Sequence, residues 1–516
     1  MQTISALADG FAVALTFQNM ALALLGCFLG TIIGALPGLG PSNGVAILIP
    51  LAFTLGLPAT PALILLTSIY FGAMYGGRIS SILLNIPGDE PAMMTTLDGY
   101  PMAQQGRAGE ALALSGIASF VGSFFAICGL AVLAPQLVKV ALLFGPAEYF
   151  ALYVLAFATL GGVTSRNQAK SAFAAALGLG IAMIGVDQQT GVPRLTFGEI
   201  HLYDGIDFLV AIVGLFALSE VFTFLEHRGS DVDKAESKDD KVKIGRILPQ
   251  WKMLRFTSGS MARGTVIGFL AGVLPGAGAS LGSFLAYGAE RSLKNGKNTF
   301  GKGDPRGVAA PEAGNNAAAG GALVPMLALG VPGSGTTAVL LAMLLALNIT
   351  PGPLLFTQNP DVVWGLIAAL MIGNVMLLLL NIPMVGLFVR LLLVPSRYLM
   401  PAVAMISFVG IYGISGSVFD LTVMILFGLG GWALRKLDVP LVPVIMGVLL
   451  GNQMEVNLRR AMTISDGEWS TLFASPLSIG LWLVAIAGFA LPIVLSRMNR
   501  RIDPAKLRSE EVSEGD

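Results

Sequence analysis

The sequence predicts an all-α integral membrane protein, built as an inverted repeat with broken helices and re-entrant hairpins, and three observations lead there. Hydrophobic residues make up 54% of the 516-residue chain and charged residues only 12%. With a mean hydropathy of +0.76, the polar coat of a water-soluble protein is missing. A glycine-proline stretch occurs twice, Gly34 to Ser42 and Gly272 to Ser280. Gly30, Gly34, Pro37, Gly38, Gly40 and Ser42 map onto Gly268, Gly272, Pro275, Gly276, Gly278 and Ser280 with one offset of 238, the spacing of Gly268 from Gly30. Finally, the basic residues are distributed so that the two copies enter the membrane from opposite sides.

Composition narrows the class further. The apolar runs are long and continuous, not the short alternating segments of a transmembrane barrel. Gly 64 and Pro 28 are high counts for a helical protein, but membrane helices tolerate both where neighbours satisfy the freed backbone groups. Lys+Arg and Asp+Glu balance at 31 each, which argues against nucleic acid as a partner. Cys27 and Cys128 lie in apolar runs and read as core packing, while His201 and His227 stand alone in polar connections without metal-ligand spacing. No basic leader with a cleavage site precedes the first apolar segment, which is expected to remain as a span.

Taken in order, residues 1–226 form a first transmembrane repeat, 227–257 a cytoplasmic linker and 258–475 a second repeat. Residues 476–497 add a C-terminal span and 498–516 a cytoplasmic tail. No Lys or Arg occurs before Arg78, whereas the linker carries Arg228, Lys234, Lys238, Lys241, Lys243, Arg246, Lys252 and Arg255. The positive-inside rule therefore puts the N-terminus in the periplasm and the linker and C-terminus in the cytoplasm of a bacterial inner membrane. Arg107, Arg166 with Lys170, Arg291 to Arg306, Arg390 with Arg397, Arg435-Lys436 and the tail mark inner connections. Arg459-Arg460 is the exception, in a polar stretch placed outside. The first half thus enters from outside and the second from inside, an arrangement found in many secondary transporters. Breaks included, about a dozen membrane segments are expected.

Each half carries a second Pro-Gly break. Tyr75-Gly76-Gly77-Arg78 runs to Asn85-Ile86-Pro87-Gly88-Asp89 in the first, and Gly320-Gly321 to Val331-Pro332-Gly333-Ser334-Gly335-Thr336-Thr337 in the second. The Gly-Gly pairs differ by 244 and the Pro-Gly pairs by 245 (Gly320 against Gly76, Pro332 against Pro87), so one inserted residue separates the registers. Alone, such a stretch is a kink or a site of tight helix packing. Paired in two halves, the breaks point to a transporter's binding site. Broken helix ends offer N–H groups and positive dipole ends to a carboxylate, and unwound carbonyls with nearby hydroxyl or amide oxygens suit Na⁺.

The candidate substrate residues are therefore Pro37, Gly38, Gly40, Ser42, Asn43, Arg78, Asn85, Pro87, Gly88, Pro275, Gly276, Gly278, Ser280, Pro332, Gly333 and Ser334. The candidate ion-coupling residues are Asn85, Asp89, Glu312, Asn315, Asn316, Thr336 and Thr337, with a Na⁺ site expected near Asn85, Ser334 and Thr336. Each hydroxyl taken singly is explained as well by a bond to its own helix; the clustering beside four breaks favours a site. Arg78 either binds a carboxylate or holds the fold, and Asp89 with Glu90 either bind a cation or proton or cap an interface. Glu312, Asn315 and Asn316 stand at i, i+3 and i+4 and share a helix face.

These residues resemble a known family. The paired Gly-x-Leu-Pro-Gly-x-Gly stretches, the Tyr75 to Gly88 run, Asp98-Gly99-Tyr100-Pro101-Met102-Ala103 and Pro311-Glu312-Ala313-Gly314-Asn315-Asn316-Ala317 look like TctA, the large membrane subunit of tripartite tricarboxylate transporters. Arg78 stands where many members are expected to have a small hydroxyl residue. The resemblance implies uptake of a di- or tricarboxylate-like anion driven by a Na⁺ or H⁺ gradient, with no other cofactor and no enzyme activity. It also implies a small TctB-like membrane subunit, a periplasmic TctC-like binding protein and an elevator-like motion; a homo-oligomer is a further partner expectation. The binding protein is expected to dock on the outer face, around residues 187 to 203. The rival readings are an anion channel or uncoupled facilitator, and an intramembrane hydrolase, for which Ser42 and Ser280 lack a His or Lys nearby in sequence.

Overall fold

The computed structural model describes residues 2–36, 39–163, 168–187, 189–227, 249–276, 278–293, 299–384, 386–388 and 396–499. Pro37 and Gly38 of the first break, Arg166, linker residues 228–248, Lys294, Lys297, Arg390 and the tail from 500 lie outside the described residues.

The chain is helical nearly throughout, because long runs of Leu, Ala, Gly and Phe can leave water only with their backbone bonds closed within the segment. The first half contains α1 (Gln2–Ala14), α2 (Phe17–Ala35), α3 (Gly40–Thr54), α4 (Ala59–Leu84), α5 (Met93–Met102), α6 (Ala108–Ala141), α7 (Pro146–Val163) and α8 (Gln168–Ala182). A short hairpin follows, β1 (Gly185–Val186) antiparallel to β2 (Pro193–Arg194), pairing Gly185 with Arg194 and Val186 with Pro193. Then come α9 (Phe208–Ile212), a π-helical stretch Val213–Leu218 and α10 (Ser219–His227).

The second half begins with α11 (Trp251–Val273), within the stretch 227–257 read as linker, and continues with α12 (Gly278–Ser292), α13 (Arg306–Leu329) and α14 (Gly335–Ala346). After these come α15 (Leu355–Gln358), α16 (Pro360–Asn381), α17 (Ser396–Ser415), α18 (Val418–Lys436), α19 (Leu441–Ile464) and α20 (Pro476–Asn499). Among the described residues eight helices are long and apolar enough to cross a membrane, and four shorter apolar ones include α3 and α14. The chain is a multi-pass membrane protein.

The sequence repeat is also a repeat of backbone geometry. At the offset of 238, α2 and α11 stop at Ala35 and Val273, each followed by an extended leucine (Leu36, φ −76 ψ 117; Leu274, φ −73 ψ 121). At the offset of 245, α4 and α13 stop at Leu84 and Leu329, each closed by a left-handed residue, Asn85 (φ 58) and Gly330 (φ 70). Asn and Gly are the residues that tolerate this helix-ending conformation. Between the ends, α2 lies parallel to α4, and α11 to α13, along glycine stripes. A methyl on Gly30 would stand 2.3 Å from the Ile69 carbonyl oxygen, and one on Gly34 2.0 Å from that of Ala73. The second half repeats this, with 2.1 Å from Gly268 to Gly314 and 2.2 Å from Gly272 to Ala318. Without side chains the helices reach the close backbone contact that drives association in lipid. The two middle helices, α4 and α13, are buried along nearly their whole length.

Candidate functional site

Each break ends one helix and leaves the first turn of a new one beside it. Four such N-termini are present: α3 beginning at Gly40 (φ 60), α5 preceded by Asp89, α12 beginning at Gly278 (φ 68) and α14 beginning at Gly335. The structure brings them together. The Ser42 and Thr336 hydroxyls are 2.9 Å apart, joining the first break to the fourth. Gly278 N donates to Gly333 O at 3.2 Å, joining the third to the fourth. Ser280 Oγ donates to Glu90 Oε2 at 3.3 Å and Ser283 Oγ to Pro91 O at 2.8 Å, joining the third to the second. A methyl on Gly88 would stand 2.3 Å from Gly34 O, so the second break lies against the helix that leads into the first. The contacts are reciprocal, since Ser42 and Ser280 are repeat equivalents and each touches the other half's second break. Among the described residues neither hydroxyl bonds a His or Lys.

The helix starts are built differently. Ser334 accepts from Thr337 N at 3.2 Å, and Thr337 Oγ1 accepts from Ser334 N at 2.7 Å, a reciprocal cap. Asp89, 245 residues earlier, accepts from Ala92 N at 2.9 Å, closing the turn that precedes α5, whose own N-cap Ala92 has no side-chain bond. Ser334 and Thr337 thus serve first as caps, and Thr336 as a partner of Ser42. Among the described residues no side chain caps α3, which leaves free N–H groups and its positive dipole end for an anion. The third break is pinned at its proline, whose carbonyl accepts the Thr159 hydroxyl; Gly276 follows at φ 79. Pro332 and Gly333 are buried, as is Asn43, while Pro87 is half-buried.

Glu312, Asn315 and Asn316 are all buried on α13. Glu312 takes hydrogen bonds from Thr95 Oγ1 at 2.5 Å and Ser119 Oγ at 2.9 Å. Asn316 accepts from Ser123 at 3.4 Å and donates to its own helix. Asn315 differs, since among the described residues neither its Oδ1 nor its Nδ2 has a partner. Its side chain shares a face with Ala319 and Ala322, at i+4 and i+7. The Ala319 carbonyl accepts Tyr70 Oη at 3.5 Å, and Ala322 lies under Gly333, 2.7 Å from where its methyl would be.

Two candidates form none of these contacts among the described residues. Arg78 is 1% exposed, and its guanidinium donates to Tyr75 O (2.9 Å), Leu112 O (2.5 Å), Ser115 Oγ (2.8 Å) and Asn381 Oδ1 (3.1 Å). It binds α4 to α6 and α16 and forms none of the contacts between breaks. Asn85 is exposed and closes α4 in the left-handed conformation. Gly30 lies against Ile69 and Gly268 against Gly314, so in the structure α4 and α13 correspond at 245 along their length and Tyr70 is the equivalent of Asn315. The offset of 244 read from the Gly-Gly pairs hid this, and sequence reasoning missed Tyr70. It also assigned no role to Asp98. That carboxylate accepts the Gly301, Gly303 and Asp304 amides (2.8, 3.0 and 2.9 Å) and the Tyr287 hydroxyl (3.0 Å), tying α5 to the loop before α13.

A cavity of about 810 Å³ borders Gly330 and the end of α14 and is lined by Tyr149, Tyr153, Arg194, Asn457 and Arg460. An ion-pair network closes one side of it. Arg194 reaches Glu455 at 2.8 Å, and Arg459 reaches Glu455 at 2.5 Å and Asp187 at 3.0 Å, which fastens the β-hairpin to α19. The Gln189 backbone amide foremost, with Thr190 and Arg459 adding to it against partial desolvation, holds the Asp187 carboxyl below its usual range.

A family model described as the tripartite tricarboxylate transporter TctA family matches residues 20–446. An uncharacterized 52.8 kDa protein in the TAR-I ttuC' 3'region of Agrobacterium vitis is 38% identical over 504 residues, covering 97% of this chain and 98% of that protein. An uncharacterized protein in the TAR-II ttuC' 3'region of the same organism is 38% identical over 236 residues, 45% of this chain and 98% of its own length. No solved structure matches.

Proposed function

The chain belongs to the tripartite tricarboxylate transporter TctA family, and from that membership we propose that it is the large subunit of a binding-protein-dependent secondary transporter importing a di- or tricarboxylate-like anion. The observation that carries this reading is the meeting of four helix N-termini, two from each half, through Ser42–Thr336, Gly278–Gly333 and Ser280–Glu90. The start of α3, which no described side chain caps, offers partial positive charge and free N–H donors there without a side-chain cation, which suits a carboxylate that must bind and then leave. In this reading the halves are inverted in the membrane, with the N-terminus periplasmic and the C-terminus cytoplasmic.

A Na⁺ or H⁺ gradient drives inward release as the elements carrying the breaks move, elevator-like, against the rest. A TctB-like subunit and a periplasmic TctC-like protein complete the system. The latter delivers its anion at the outer face, where the cavity beneath the β-hairpin, with Arg194 and Arg460, receives it. The test is uptake into vesicles holding the membrane subunits, with the cognate binding protein added outside and Na⁺ and H⁺ gradients imposed separately. Accumulation above the outside concentration under one gradient is expected. Equilibration alone, whichever gradient is imposed, would mean a channel or facilitator.

A further inference from the structure

Two helices that correspond in the repeat end in different surroundings. α5 and α14 follow Asp89 and Ser334 and end at Met102 and Ala346, within one residue of each other at the offset of 245. Leu341 and Leu345, near the end of α14, line the cavity of about 810 Å³. Near the end of α5 the chain is covered instead, by residues 299–305 of the second half. Asp98 is buried there and is the fixed point: its Oδ1 accepts the Gly301, Gly303 and Asp304 amides and its Oδ2 the Tyr287 hydroxyl. Gln105, just past α5, donates to Lys302 O at 2.8 Å. Gly301 and Gly303 have φ of 82 and 97, conformations that let the amides of a short loop turn toward one anion. Gly307 is constrained as well, since a methyl there would stand 2.0 Å from Asp98 Oδ2.

This cover is the end of a seam that starts at the break junction. Along α12, Ser280, Ser283 and Tyr287 meet Glu90, Pro91 and Asp98 in turn, at 3.3, 2.8 and 3.0 Å. Each contact joins the second half to the first. At the same offsets the counterparts of Tyr287 and Asp98 are Ile49 and Met343, which cannot make the bond. The hydroxyl–carboxylate closure therefore belongs to one seam and not to its equivalent. We propose that residues 299–305 are a gate over this seam, latched by Asp98, and that the protein as it stands is open at the cavity and shut at the latch. The proposal rests on the transport reading, which requires the junction to be reached from one face at a time. In that reading Lys302 and Arg306, at the loop, put the gate on the cytoplasmic face. A carboxylate suits a latch that must release, because opening exchanges its four neutral donors for water and leaves no charge buried alone.

The test is reciprocal accessibility in sealed vesicles, with no substrate present. In a background free of Cys27 and Cys128, Ser283→Cys reports on the seam and Leu345→Cys on the cavity, each exposed to a membrane-impermeant maleimide from either face. With the latch intact, Leu345→Cys is expected to label from the cavity face, and Ser283→Cys, at a buried position, to stay unlabelled from the gate face. Asp98→Ala should raise labelling of Ser283→Cys from the gate face about tenfold and lower that of Leu345→Cys by a similar factor, as in a two-state element. Tyr287→Phe removes one of the four bonds and keeps the ring, and should shift both in the same directions by less. A clamp that only holds the fold would loosen without the fall at Leu345. Failure of Leu345→Cys to label with the latch intact, unchanged labelling of Ser283→Cys in both variants, or a rise there with no fall at Leu345→Cys would each overturn the proposal. If Asp98→Ala does not fold, Tyr287→Phe decides alone. Gradient-driven uptake together with unchanged labelling would reject the gate and keep the transport reading; equilibration without accumulation, together with reciprocal labelling, would do the reverse.

Discussion

Arg78 and Glu312 are buried charges handled in the same way, by neutral partners one turn apart on α6: Ser115 receives the guanidinium and Ser119 donates to the carboxylate. Desolvating a charge is costly unless its hydrogen bonds are nearly complete, and four of the five donors of Arg78 are engaged. A guanidinium so committed is poorly placed to receive a substrate. Arg78→Lys should therefore act on stability, leaving buried acceptors unpaired at about 1–3 kcal/mol each. The expected result is a lowered thermal transition and loss of monodisperse protein on size-exclusion chromatography. A stable variant with a raised half-saturating substrate concentration would return Arg78 to the binding site. Sequence reading could name this residue as exceptional, since it is the first base in the chain. It could not divide its two roles, because every partner but Tyr75 comes from a distant segment.

The glycine stripes show what an element-level repeat is for. Gly26, Gly30 and Gly34 on α2, and Gly264, Gly268 and Gly272 on α11, each lie against a carbonyl of the neighbouring helix. In hydrocarbon, where apolar surface gains nothing from leaving lipid, this close fit supplies the association energy. Gly268→Ala would place a methyl 2.1 Å from the Gly314 carbonyl oxygen. It should destabilise by roughly 1–3 kcal/mol, as overpacking does, read as a drop in thermal transition temperature. Gly288→Ala on α12 is the control. A methyl there meets nothing within 4 Å, and the helix-propensity gain should leave stability equal or slightly higher. The stripes were legible as glycines at a repeat offset. Which helix they faced was not, because the i to i+4 spacing defines a face and not its partner.

At the scale of the molecule, the halves are joined through their breaks, and Ser42 and Thr336 offer a direct way to ask whether that junction moves. With Cys27 and Cys128 replaced, Ser42→Cys with Thr336→Cys places two thiols where hydroxyls now stand 2.9 Å apart. Oxidation should cross-link first half to second and arrest uptake, and reductant should restore it. Undiminished uptake in the cross-linked protein would mean that the two breaks stay together throughout the cycle, against a motion that separates them.

The sequence by itself determined the class, the family, the number and spacing of the breaks and the equivalence of the two halves. Hydropathy, Pro-Gly stops and constant offsets are local or periodic properties that survive without coordinates. Only the tertiary structure decided that the four breaks meet, that Ser334 and Thr337 cap one another, that Asn85 ends α4 in the left-handed conformation, and that Asn315 has no partner among the described residues. Each of these depends on residues separated by an αL turn or by hundreds of positions, where a hydrogen bond is made or missed by a few ångströms. No pattern of residue types along the chain carries that distance.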